Sequence, residues 1–237
     1  FCDSLKPDFF LLGETLHGDY NQIMNDEMLH SVTNYECYKG LYSSFNCMNM
    51  FEINHSLLRQ FGPENWTLYK GKHLLSFVDN HDVTRVASIL NNANHLPLIY
   101  TLAFGMPGIP CVYYGSEWGA TGRKEDGDPA LRVSFDTPVW NDLTTFISKL
   151  AAAKKSSNAL NYGSFSSIVL TNEQCIFLRQ YNDERVLVAI NASEQSYFAS
   201  FNIGTDTCTD LISGSEIKLN NGMELPGYSS FILQPFS

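Results

Sequence analysis

The chain has 237 residues, enough for one large domain or two small ones around a sizeable core. Its 15 basic and 25 acidic residues give a net charge of −10, which excludes the basic footprint of a nucleic-acid-binding protein and suits a neutral ligand. No apolar run approaches the roughly 20 residues of a membrane helix, and no charged stretch with an apolar h-region opens the chain, so neither a span nor a secretory signal is expected.

Taken in order, the apolar run from Phe9 ends abruptly at Gly13-Glu14 and reads as a strand. Gly18-Asp19 is a helix start, followed by a short helix from about Tyr20 to Met28. His30 to Tyr35 reads as a weaker strand. Leu41, Phe45, Met48, Phe51, Leu57, Leu58 and Phe61 give the next stretch helical spacing, which Gly62-Pro63-Glu64-Asn65 ends. Leu74 to Val78 is continuous apolar sequence that breaks into Asp79-Asn80-His81-Asp82; a strand buried on both faces reads this way when its end opens on a site. Val83 to Leu90 reads as a helix. Leu96 to Met106 is a nearly all-apolar helix that must be buried, stopped by Pro107-Gly108. Ile109 to Tyr114 is the next strand, leading to a polar loop, Gly115 to Asp136, whose length is itself a functional hint. Asn141 or Asp142 caps a helix to about Lys155, with Lys149, Lys154 and Lys155 towards its negative end.

From Leu160 the periodicity changes to short β-like runs, Ser167–Leu170, Cys175–Tyr181, Arg185–Ile190, Tyr197–Ile203, Thr209–Ile212, Glu216–Leu219 and Tyr228–Leu233, separated by turn clusters such as Asn182-Asp183-Glu184 and Asn220-Asn221-Gly222. A boundary near Ser156 to Tyr162 divides the chain into residues 1–158 and 159–237. The six cysteines show no C-x-x-C pair and no metal-ligand spacing, and they read as reduced thiols, favouring a reducing compartment. Three glycosylation sequons, at Asn54, Asn65 and Asn191, carry no weight because the pattern is common by chance.

Strands alternating with helices, each strand ending in polar residues, argue for βαβ units and a parallel sheet with a functional rim. The segment Phe77-Val78-Asp79-Asn80-His81-Asp82, with Gly13-Glu14 upstream and Gly108-Ile109-Pro110-Cys111-Val112-Tyr113-Tyr114-Gly115 downstream, resembles the second half of the catalytic barrel of the α-amylase family of glycoside hydrolases. The likeness covers residues 5 to 155, and residues 160 to 237 resemble the β-domain that follows that barrel. It implies an α/β fold, half of a (β/α)₈ TIM barrel (strands 5 to 8), followed by a small antiparallel β-sandwich. The implied activity is retaining hydrolysis of α-1,4-glucans, maltooligosaccharides or cyclodextrins, and Asp128 with Arg132 resembles a pair of the neopullulanase and cyclomaltodextrinase branch.

Retaining hydrolysis needs a carboxylic acid at the leaving oxygen and a carboxylate about 5 Å away. Glu14 is the candidate acid, expected at a partly desolvated rim that would raise its pKa. The resemblance makes Asp82 a stabiliser of the distorted sugar ring rather than the nucleophile, and His81 a hydrogen-bond donor to the same sugar. His17, His30, His55, His73 and His95 read as structural. Arg85 is expected to hold the loop by a salt bridge to Asp79 or Asp82. Asp128 and Arg132, four residues apart, either resemble a substrate-binding pair or form a solvated ion pair. Trp118 either stacks on a sugar or packs under its loop. Tyr113 reads as core.

The resemblance breaks at the nucleophile. The family's Arg-x-Asp is absent, as is the Asp-x-x-x-Asn-His motif, and Leu16 stands where many neopullulanase-like members have Trp. Aligned on its motifs, the chain starts just before strand five. The first half of the barrel, with the inserted domain and its calcium site, is expected elsewhere; no metal and no cofactor is expected in this chain. Four βα units leave both edge strands unpaired, so the chain should meet a complementary half, associate with itself, or be part of a longer protein, the reading favoured here. Alone it should be inactive. An α-glucan transferase with the same site, or a half-barrel that binds sugar or a partner without catalysis, are the alternatives.

Overall fold

The computed structural model describes residues 1–236. After a single turn α1 (Cys2–Leu5), four short strands lie side by side in chain order: β1 (Leu12–Gly13), β2 (Ser31–Val32), β3 (Leu75–Phe77) and β4 (Ile109–Cys111). β1 runs parallel to β2, with Leu12 opposite Ser31. Thr33 makes a parallel bridge to Leu75, and the Asn34 N–H donates to the Leu75 carbonyl at 2.8 Å. β3 runs parallel to β4, with Leu75 opposite Ile109 and Phe77 opposite Cys111.

Helices fill the connections: α2 (Tyr35–Asn46), α3 (Met50–Phe61), α4 (Val86–Ile89), α5 (His95–Gly105), α6 (Asp128–Leu131), α7 (Asp142–Ser156) and α8 (Asn158–Tyr162). α2 buries Cys37, Leu41 and Phe45, and α3 buries Met50, Ile53, Leu57 and Phe61, the spacing of one apolar stripe on each. α5 is buried almost all round. Asn34 caps α2 by accepting from the Cys37 N–H at 3.3 Å. Its amide also exchanges two bonds of 2.9 Å with the Gln60 amide, a buried pair that ties the end of α3 to the strand edge.

The remaining strands are β5 (Ser164–Leu170), β6 (Gln174–Tyr181), β7 (Glu184–Asn191), β8 (Tyr197–Ser200), β9 (Thr207–Asp210), β10 (Glu216–Lys218), β11 (Gly222–Leu225) and β12 (Ser229–Pro235). Six form an antiparallel sheet in the order β10-β9-β12-β7-β6-β5, and β11 pairs with β8. Period-two alternation divides the burial: Ile176, Leu187, Ala189 and Leu233 pack with Ala199, Met223 and Leu225 of the small sheet. Phe177, Val186, Val188 and Ile190 face the other way and join the core with α5. There Gly105 is required by contact, since a Cβ on it would meet the Val188 side chain at 2.7 Å.

Several elements differ from the sequence expectation. Phe9 and Phe10 lie outside β1 and are half exposed; β1 has a partner on one side only among the described residues, and Phe10 stacks instead on His30. The helix expected over Tyr20 to Met28 is one 3₁₀ turn, Tyr20–Gln22, capped by Asp19 as read. Asn25 bonds the neighbouring backbone and diverts the chain into turns. The helix expected over Val83 to Leu90 keeps only Val86–Ile89, because Arg85 is extended. The stretch from Ser156 to Tyr162, read without a helix, holds α8, capped by the Ser157 hydroxyl, which accepts the Leu160 N–H at 3.1 Å. The turn at Asn220-Asn221-Gly222 opens into β11, a four-residue strand that buries Met223 and Leu225 and exposes Glu224.

α7 begins at the expected Asn141, in a reciprocal capping box with Thr144. Its Lys154 does not face solvent. The ammonium turns inwards, donates to the Leu160 and Met106 carbonyls at 2.8 and 3.4 Å, and is pushed down to about 7 by burial and then by Arg179. The unfolded chain holds this proton up to about pH 10.5, so between about pH 7 and 10 it binds more protons than the folded chain and stability rises with pH. The expected slope from this group approaches about 1.4 kcal/mol per pH unit. Urea melts of the chain and of Lys154→Met across that range check it: the variant should lack the slope, and parallel curves would show that Lys154 does not titrate there.

Candidate active site

The residues of interest stand just beyond the carboxyl ends of β1, β3 and β4. Glu14 follows β1; Asp79, Asn80, His81 and Asp82 follow β3; Tyr113 and Tyr114 follow β4. One atom each of Glu14, His81 and Asp82 lie within 4.8 Å of one another, although Glu14 and Asp82 are 68 positions apart in the chain. A cleft of about 270 Å³ lies beside them, lined by Leu12, Phe77, Cys111 and Tyr113.

Glu14 is exposed rather than partly desolvated, because little chain covers β1 from outside. Its Oε1 accepts from the Tyr35 hydroxyl at 3.3 Å, and that hydroxyl in turn accepts from Asn80 Nδ2 at 2.9 Å. Burial, opposed by the Asn80 bond and reinforced by Glu14, raises the Tyr35 pKa and keeps it a donor. Asn80 Oδ1 also accepts the Asp82 N–H at 2.8 Å, fixing the turn that aims Asp82. Sequence reasoning missed Tyr35. Its signal was available, since it stands directly behind β2 at the same rim.

Asp82 is held on both oxygens. His81 Nε2 lies 3.3 Å from Oδ2, and Arg132 Nη2 donates to Oδ1 at 3.1 Å. Arg132 is 3.8 Å from Asp128, which Lys124 approaches at 3.6 Å. Asp128 and Arg132 thus form a loose exposed pair whose arginine is held more closely by Asp82. Trp118 packs edge-on to Phe135, with ring centroids 5.1 Å apart, and lines an open depression with Tyr114 and Arg132. Tyr113 lines the cleft, its ring 6.5 Å from that of His81, rather than lying wholly in the core.

The expected salt bridge of Arg85 to Asp79 or Asp82 is not formed. Arg85 and Asp79 are both fully buried and meet through Ser116, whose hydroxyl donates to Asp79 Oδ2 at 2.7 Å and accepts from Arg85 Nη1 at 3.1 Å. Asp79 Oδ2 also accepts the Val86 N–H at 2.8 Å, starting α4. Burial raises the Asp79 pKa against these bonds and the Arg85 charge. Arg85 donates further to the Tyr114 and Leu131 carbonyls and lies over the Tyr113 ring at 4.3 Å. It therefore fastens the loop after β4 to the loop after β3. The two carboxylates and imidazole of the cluster do not match calcium, which takes six to eight oxygen ligands, and Asp82 already carries Arg132.

The arrangement is an α/β fold with a polar site at the carboxyl rim of parallel strands, joined to an antiparallel β unit. Residues 1–169 match the family model "Alpha amylase, catalytic domain", and residues 168–232 match "Maltogenic Amylase, C-terminal domain". The chain belongs to the α-amylase family. It is similar to a maltogenic α-amylase of Bacillus acidopullulyticus, at 26% identity over 94% of this chain and 39% of that protein, and to a cyclomaltodextrinase of Thermoanaerobacter pseudethanolicus, at 25% over 97% and 40%. A cyclomaltodextrin glucanotransferase of Thermoanaerobacterium thermosulfurigenes is 30% identical over 69% of this chain and 23% of its own. The chain thus spans about two fifths or less of these relatives. Among solved structures, α-amylases from Anoxybacillus and Geobacillus thermoleovorans superpose with TM-scores of 0.81 and 0.82, at 24% and 19% identity, over 99% of this chain and 54% and 55% of theirs. These likenesses speak for the fold. Among the described residues all six cysteines are free, and no helix is long and apolar enough to cross a membrane.

Proposed function

We propose that the chain is the carboxyl-terminal half of a (β/α)₈ glycosidase barrel, residues 1–158, followed by a β-sandwich domain, residues 159–237, and that it serves retaining hydrolysis of α-1,4-glucans. The observation that carries the reading is the convergence of Glu14, His81 and Asp82 within 4.8 Å at the ends of parallel strands. Glu14 protonates the glycosidic oxygen and later takes the proton of the attacking water. Asp82, held by Arg132 and His81, accepts hydrogen bonds from sugar hydroxyls as the ring flattens. His81 donates to the same sugar, and Trp118 with Arg132 flanks it from the loop after β4. The nucleophile comes from a complementary half carrying an Arg-x-Asp, as part of a longer protein or as a second chain that meets the one-sided edge of β1. The glucanotransferase relative supports a second outcome of the same site, transfer to a sugar hydroxyl in place of water.

The purified 237-residue chain is expected not to cleave maltooligosaccharides, and to do so with retention when joined to an amino-terminal half-barrel bearing the nucleophile. The anomer released is read by NMR, and chromatography separates hydrolysis from transfer. Cleavage by the chain alone, abolished by Glu14→Gln, would overturn the half-site reading.

A further inference from the structure

A second cavity, of about 460 Å³, opens at the opposite ends of the strands. Its walls come from the segment before β3, the turn before β4, and the join of α8 with β5 and β6. Lys70, Lys72, His73 and Arg179 line it, and among the described residues no aspartate or glutamate does. In a chain with 25 acidic residues and a net charge of −10 this is a local reversal of sign. Lys154 stands close enough, with Arg179, to depress the pKa of His73, which burial lowers first. Among the described residues none of these cations pairs with a carboxylate. Lys70, Lys72 and Lys154 donate to backbone carbonyls instead.

Arg179 is the built element of this site. It is 1% exposed and sits on the face of β6 that Phe177 and Cys175 share. Nε donates to the Ser164 carbonyl at 3.1 Å, Nη1 to the Gly105 carbonyl at 2.7 Å and Nη2 to the Gly163 carbonyl at 2.8 Å. A guanidinium has five N–H donors, so two remain without a protein acceptor among the described residues. Burial pushes its pKa down to about 9. A desolvated cation with spare donors and no counter-charge is costly in isolation, and an anion in the cavity would supply both.

We propose that this cavity binds the phosphomonoester of a small sugar. The dianion matches the charges of Lys70, Lys72 and Arg179, none paired with a carboxylate among the described residues, and the two N–H groups that Arg179 leaves free match phosphate oxygens. The volume falls in the range of small-molecule sites and leaves room for a ring beyond the phosphate. Tyr162, 60% exposed, offers a ring face at the mouth, edge-on to His73 at 5.7 Å, while Asn161, Ser164 and Ser166 supply polar partners for hydroxyls. None of these residues belongs to the rim that carries Glu14 and Asp82.

Calorimetric titration of the 237-residue chain with glucose 6-phosphate, inorganic phosphate and glucose tests the assignment. Glucose 6-phosphate should bind saturably, phosphate more weakly, and glucose not at all. The double variant Lys70→Gln/Lys72→Gln, at one exposed and one half-buried position, removes both charges while keeping an N–H donor on each side chain for the Pro63 and Met24 carbonyls, and should weaken the binding about tenfold or more. Arg179→Lys, which keeps the charge and loses the fork, should weaken it as well. On saturation the NMR-read pKa of His73 should rise. Absence of saturable binding, or an affinity untouched by the lysine substitutions, overturns the site. Glucose binding as tightly as its phosphate overturns the anion assignment, and phosphate binding as tightly as the ester overturns the sugar.

Discussion

Glu14→Gln in the assembled barrel is expected to lower kcat on maltooligosaccharides by about 10²–10⁴ and to leave KM nearly unchanged. The amide keeps the shape of the side chain and still accepts from the Tyr35 hydroxyl, so the Asn80–Tyr35–Glu14 chain and the turn that aims Asp82 survive. What it loses is the proton for the departing oxygen. The loss should therefore depend on the leaving group: a maltosyl fluoride, whose fluoride departs without protonation, should lose far less in the first step than a maltooligosaccharide. Equal losses on the two substrates would remove Glu14 from the acid role and leave it a binding residue.

The rim was legible because its chemistry is written locally. Phe77-Val78 running into Asp79-Asn80-His81-Asp82 places four polar groups at one strand end, and Gly13-Glu14 repeats the pattern upstream. The capped start of α7 at Asn141 was legible for the same reason. What escaped depends on partners distant in the chain. Arg85 is partnered by Tyr114, Ser116 and Leu131, all on a loop about 30 to 46 residues further on, so its real acceptors could not be ranked against the nearby Asp79 and Asp82. Lys154 reads as a solvated end-of-helix charge, yet α8 supplies a carbonyl that draws it inward. The cationic cavity joins the segment before β3 to residues on β5 and β6 some 90 to 110 positions later, and no window of sequence spans it. β11 escaped because it lies against a single partner strand and follows a turn that reads as loop.

The buried bridge from Asp79 through Ser116 to Arg85 carries the largest stability effect expected in the chain. Arg85→Met removes the donors to the Tyr114 and Leu131 carbonyls and to the Ser116 hydroxyl, and strips the positive charge that favours ionised Asp79. Asp79 is already disfavoured as an anion by burial and by Glu117, so an uncompensated buried carboxylate remains. Breaking such an arrangement costs about 3–5 kcal/mol. Two features separate this from a mere loss of packing. First, Arg85→Met/Asp79→Asn should recover part of the loss, because the neutral amide removes the stranded charge while still accepting the Val86 N–H; a double-mutant cycle by urea denaturation reads the coupling. Second, with its arginine gone the Asp79 carboxyl should titrate higher still. A folded pKa above the ordinary 3.8 stabilises the fold below that value and loses the contribution as pH rises through the folded pKa. Arg85→Met should thus regain stability relative to the parent as pH falls through the folded pKa of Asp79 towards 3.8. A deficit that stays constant across that window, with no recovery in the double variant, would show that Arg85 acts through packing on Tyr113 and Tyr114 alone.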